Sequence, residues 1–198
     1  MASTVSPGRP ILGFGRGFTV IELLAALILV GLIMVFVLPK LSVTRYQVDG
    51  AMHAAGTRLL TVQRTAVTRQ HNVIVLFDAP NNALKILEDK NNNYALDGGE
   101  RIQSRSLGDQ VVFGLGGANP RPMGAGPITY TRTVAGLPAL VFYRDGSASQ
   151  AGGFYVTSRR AAASPGTFAQ DTRAIETDRA TGRPYWFRYS APTWKRAF

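Results

Sequence analysis

Hydrophobic positions along this chain fall into three kinds of run. From Phe18 to Leu38, 21 consecutive residues carry a single charge, Glu22, and Pro39 follows. A helix of that length extends roughly 30 Å at ~1.5 Å per residue, which matches the hydrocarbon core of a bilayer. The run predicts a transmembrane helix over 18–38. Beyond Pro39, Val48, Met52, Ala55, Leu59, Val62 and Ala66 recur at steps of three and four, with Arg45, Asp49, Arg58, Arg64 and Arg69 mostly off that stripe. This spacing predicts an amphipathic continuation over 39–70. The expectation is one long helix from about Phe18 to Thr68, kinked at Pro39, because proline lacks an N–H donor and crowds the preceding turn. Half would lie in a membrane and half on a sheet. Gly50 and Gly56 weaken it, each by roughly 1 kcal/mol against Ala.

After the helix the period changes. Asn72–Phe77 and Ala83–Glu88 read as strands joined by a turn at Asp78-Ala-Pro-Asn-Asn. Gln110–Phe113, Ile128–Thr131, Ala139–Tyr143 and Gly153–Thr157 are further strand candidates, and Arg144-Asp-Gly-Ser is a hairpin signal between the last two. Gly114–Pro127 and Ala161–Gly166 read as loops. A long helix followed by many antiparallel strands predicts an α+β fold with the helix laid on the sheet of a globular domain over 71–198.

Charge and composition narrow the picture. The chain has 198 residues, no Cys, 21 Gly, 11 Pro and a formal charge of +10. The residues after the helix suffice for one modest domain with its own core. Without cysteine there are no disulfide staples and no thiolate metal sites. Glu22, five residues into the apolar run, costs on the order of 2.5–3.5 kcal/mol on insertion scales and so calls for a cationic partner. A secretory signal has a shorter apolar core and a small-residue cleavage site, neither of which is present here. An ordinary single-span anchor has the right length but no use for Glu22. Arg9 and Arg16 precede the run without an acid, which places the leader in the cytoplasm and the bulk of the chain across the membrane.

Gly17-Phe-Thr-Val-Ile-Glu-Leu-Leu, with Arg16 before it and Pro39 after the apolar run, resembles the N-terminus of type IV pilins and of type II secretion pseudopilins. The resemblance implies a leader over 1–17, cleavage between Gly17 and Phe18 by the prepilin peptidase, and N-methylation of Phe18. It also implies residence in the bacterial inner membrane with an exported globular domain. Its partners would be membrane lipid and other pilin or pseudopilin subunits in a fibre. Loss of the leader lowers the charge from +10 to +8. In that setting the expected partner of Glu22 is the amino group of Phe18 on a neighbouring subunit, which fixes the register between helices. The globular part resembles, more loosely, the H-type minor pseudopilin and FimT-like minor pilin branch. The residues concerned are the Asp89–Glu100 loop and Phe142-Tyr-Arg-Asp-Gly146 followed by Gly153-Phe-Tyr-Val-Thr. Two uses stay open: a secretion pseudopilus, or a type IV pilus serving assembly, adhesion or DNA uptake.

Two further segments carry candidate chemistry. Asp89, Asn91, Asn93, Asp97 and Glu100 occupy relative positions 1, 3, 5, 9 and 12, the oxygen-ligand spacing of a helix–loop–helix calcium site. Position six is Tyr94 rather than Gly, and the flanks read as strands. A calcium ion and a self-capped hairpin tip are the competing readings, and no other cofactor is suggested. The C-terminal third is basic and aromatic, and Arg183, Arg188, Lys195 and Arg196 are candidates for a nucleic-acid backbone, with rings between them. Gly182-Arg183 and Arg188 loosely resemble a Gly-Arg-x-Arg element by which some FimT-like pilins bind DNA. The competing reading is a last strand in which Tyr185, Phe187 and Tyr189 close the core and Arg188 points outward. His53 and His71 sit in no nucleophile setting, and Gly-x-Ser-x-Gly and His-Glu-x-x-His are absent. The chain is not expected to be an enzyme.

Overall fold

The structure, a computed structural model, describes residues 18–37 and 43–197. The chain divides between Ser42 and Val43 into two units. In the first, α1 spans Val20–Val37. Its described side chains are all exposed, Ile21 at 76% and Ile28 at 63%. Among the described residues no helix is long and apolar enough to cross a membrane. Of the single kinked helix expected from the sequence, the described residues show α1 and, from Val43, α2 (Val43–Arg69). The leader expected over 1–17 with Gly17, and the kink expected at Pro39, lie outside the described residues.

The second unit contains α2 and ten strands. These are β1 (Asn72–Asp78), β2 (Ala83–Asp89), β3 (Ile102–Ser106), β4 (Val111–Phe113), β5 (Thr133–Val134), β6 (Leu137–Phe142), β7 (Gly152–Ser158), β8 (Arg173–Thr177), β9 (Pro184–Ser190) and β10 (Thr193–Arg196). A short helix α3 (Arg159–Ala163) follows β7. The strands form two antiparallel five-stranded sheets, ordered β3-β2-β1-β6-β5 and β10-β9-β8-β7-β4. Every residue of the predicted stripe on α2, Val48 through Ala66, is buried. The stripe joins one core with Val73, Val75, Phe77, Leu140 and Phe142 of the first sheet and Phe154, Val156, Ile175 and Trp186 of the second. The opposite face of the first sheet buries Ile74, Leu76, Leu87, Ala139 and Val141. Both faces being covered, β1 is apolar without alternation.

Several expectations are corrected here. One sheet was expected and there are two: across the Asp145-Gly146 turn the chain pairs only locally, through the Phe142–Ala148 bridge, and β6 and β7 do not go on to pair with each other. Gly146 N–H donates to Tyr143 O at 2.9 Å with Gly146 at φ +88°, yet β6 pairs with β1 and β7 pairs with β8. A local turn signal cannot say which neighbour each strand then finds. Ile128–Thr131 is no strand; Ile128 makes a lone bridge to Phe154. Part of the loop expected at Ala161–Gly166 belongs to α3, whose start Ser158 caps by accepting from Ala161 N–H. Gly56, a cost in the isolated helix, proves to be where Trp186 lies against the helix backbone: a Cβ there would fall inside the indole ring.

Candidate functional site

Phe18 and Thr19 precede α1 in non-helical conformation. The Thr19 carbonyl accepts the first helical hydrogen bonds, from Glu22 and Leu23 N–H at 3.1 Å each. The Thr19 hydroxyl accepts from Glu22 N–H at 3.3 Å, and Glu22 Oε2 accepts from Thr19 N–H at 3.5 Å. These reciprocal bonds make a capping box, and the carboxylate also complements the positive end of the helix dipole. The sequence signal was there: Thr-x-x-Glu ahead of an apolar run. The helix so capped has 18 residues, and its described side chains, apart from Glu22, are apolar and exposed. An apolar surface on all sides is that of a helix buried by something else.

At the C-terminus the strand register sorts the basic residues. Arg188 stands opposite Lys195 on β10 and opposite Arg173 on β8. Arg196 stands opposite Phe187, on the other face, with its guanidinium 4.7 Å from the Tyr185 ring. Arg183 lies just before β9, at the end away from β10, where its N–H donates to the Thr181 hydroxyl at 3.3 Å. The fold therefore brings Arg188 and Lys195 together and leaves Arg183 apart from them. It also corrects the picture of a last strand closing the core. β9 is followed by β10, and the residue turned to α2 is Trp186, whose Nε1 is buried with no hydrogen-bond partner. Phe187 faces the other way, under the Arg121 guanidinium at 3.4 Å, and Tyr189 packs with Trp194. Arg188 is exposed.

The Asp89–Glu100 loop folds on itself. Asp89, fully buried, accepts from Asn93 and Tyr94 N–H at 3.1 and 3.0 Å. Asn91 and Asn93 oxygens accept from Asn93 and Ala95 N–H at 3.2 and 2.9 Å. Glu100 accepts from Lys90 and Asp97 N–H at 3.2 and 3.1 Å. The amides of Asn91 and Asn93 donate to Asp97 and hold its carboxyl below the ordinary range. Tyr94 adopts φ +62°, so the tight turn forms without glycine. In this arrangement the five candidate ligands accept from the loop's own donors. Among the described residues no group of three or more His, Asp or Glu is gathered as a metal site requires.

A charged cluster that the sequence reading missed surrounds the start of α2. Asp171, fully buried, accepts from the Ser158 hydroxyl and Arg160 Nε at 2.7 Å each and from Arg45 Nε at 3.3 Å. Burial pushes its carboxyl up, but these donors outweigh burial and hold it below the ordinary range. Asp49 on α2 pairs with the buried Arg173, which also donates to the carbonyls of Gln170 and Thr172. Arg45 and Asp49 were legible only as charges off the stripe. Their partners lie more than 120 residues away.

No family model matches this chain, and no curated protein matches it. Two solved structures of the minor pseudopilin EpsH from the type II secretion system of Vibrio cholerae align with it at TM-score 0.37. Identities are 11% and 12%, over 76% and 77% of this chain and 95% and 94% of theirs.

Proposed function

We propose that the chain is a minor pilin-like subunit of a type II secretion pseudopilus. Cleavage between Gly17 and Phe18 exposes a new amino terminus, the apolar helix holds the subunit in the inner membrane, and assembly moves that helix from lipid into a fibre core. The observation that carries this reading is the N-terminal segment itself: Phe18-Thr-Val-Ile-Glu22 opening a helix whose described side chains are exposed and, Glu22 apart, apolar. Extraction from lipid is offset by burial of the same surface against other helices, and head-to-tail contacts that do not close generate a fibre. Glu22 meets the Phe18 amino group of a neighbour, a charge pair tolerated away from water because both partners are present. The globular unit forms the outer surface and catalyses nothing.

A type IV pilus subunit taking up DNA shares the same N-terminal mechanics. Arg183 and Arg188 are five residues apart, roughly 17 Å of extended chain, and so do not form the adjacent pair of a Gly-Arg-x-Arg element. The test is the mass of the mature chain and the fate of Glu22→Ala. The expected results are a chain beginning with N-methylated Phe18 and a Glu22→Ala variant that reaches the membrane but does not enter fibres. Material beginning at Met1, or normal fibre incorporation of Glu22→Ala, overturns the reading.

A further inference from the structure

We propose that the cationic rim at the start of α2 binds anionic phospholipid headgroups of the bilayer that holds the apolar helix, an inference resting on the reading of that helix as a membrane anchor. Arg45, near the start of α2, and Arg160 on α3 both reach Asp171. Two residues further, Arg173 pairs with Asp49, and Arg188 and then Lys195 follow it across the strands. Residues directly opposite on antiparallel strands share a face, so Arg188 and Lys195 lie on the α2 side of the sheet, next to Arg173. Five cations thus adjoin two carboxylates, and both carboxylates are already bonded to arginine. Arg45 and Arg160 keep 46% and 39% of their side-chain surface exposed. Arg188 and Lys195 are exposed and make no ion pair among the described residues.

Chain continuity selects lipid among polyanions. Between Val37 and Val43 the sequence is Leu-Pro-Lys-Leu-Ser, a link of five residues. Such a link reaches at most about 20 Å. A bilayer holding 18–38 therefore keeps its surface within range of the start of α2, and anionic headgroups are met at high effective concentration. A nucleic acid or an acidic protein has to be captured from solution.

The test uses the full chain in vesicles, in a sequence without native cysteine. A fluorophore at Thr193→Cys, two residues from Lys195 on the same face, reports quenching by headgroup-spin-labelled lipid. A second at Leu27→Cys reports quenching by acyl-chain-labelled lipid. The expected result is Thr193 quenching that is stronger in phosphatidylglycerol-containing than in purely zwitterionic vesicles and is abolished by ~0.5 M salt. Arg188→Glu with Lys195→Glu removes the difference, while Arg188→Lys retains it; each lost cation weakens the association roughly fivefold. Leu27 quenching with no effect of lipid charge at Thr193 overturns the rim proposal and leaves the anchor standing. Absence of Leu27 quenching overturns both. A lipid-independent response at Thr193 to duplex DNA, with none to phosphatidylglycerol, transfers the rim to nucleic acid and also overturns the proposal.

Discussion

Two helices, α1 ending at Val37 and α2 starting at Val43, treat apolar side chains in opposite ways. On α2 the apolar residues form one stripe, and the fold supplies its cover: Val48, Met52, Ala55, Leu59, Val62 and Ala66 are all buried against both sheets. On α1 they run all round, and among the described residues they are exposed. The number of apolar sides tells whether a helix is completed by its own chain. A helix with a single stripe can be finished by one domain. A helix with no polar side needs cover on every side, as in a large core or a membrane.

The sharpest way to break this contrast is to cut the covered stripe. Leu59→Ala leaves a cavity beneath α2 and is expected to cost about 2–5 kcal/mol of domain stability, read as a lower denaturation midpoint. Membrane association through α1 is expected to be unaffected. A charge on the other helix should do the converse. Leu27→Asp raises the cost of insertion by about 2.5–3.5 kcal/mol, seen as loss of the chain from the membrane fraction, with the domain midpoint unmoved. Were Leu27→Asp to unfold the domain, α1 would be part of its core and the contrast would fail. A smaller effect is expected where α2 meets β9. Gly56→Ala drives a methyl into the Trp186 indole and should cost about 1–3 kcal/mol despite the better helix propensity of Ala, with a shift in Trp emission.

The mildest test is acid. Donors around Asp171 outweigh its burial, and Lys85 and Asn81 hold Asp78 below the ordinary carboxylate range. With folded values depressed, both groups stabilise fully above the unfolded value of about 3.9, and the contribution is lost as pH falls through the folded values. The domain is therefore expected to weaken progressively below about pH 4. Asp78→Asn should flatten that dependence in a denaturation series from pH 5 to pH 2, whereas pairs confined to the surface would leave it unchanged.

The chain's periodicities alone determined the apolar N-terminal run, the buried stripe of α2, and strands β1, β2, β4, β6 and β7. Each depends on spacing within a few residues, and so it is legible in order along the chain. Thr19-Val-Ile-Glu22 carries a capping signature along the chain as well, and the fold realises it as two reciprocal hydrogen bonds. Tertiary structure decided what local spacing cannot encode: that β6 and β7, joined by a well-marked turn, belong to different sheets; that Gly56 makes room for Trp186; that Arg173 and Asp49 meet across 124 residues; and that Arg188 has Lys195 for a neighbour and not Arg183. The reason is physical. Helical and strand periods are set by the backbone within one or two turns, whereas strand order and the pairing of buried charges are chosen by which surfaces exclude water together once the chain has closed on itself.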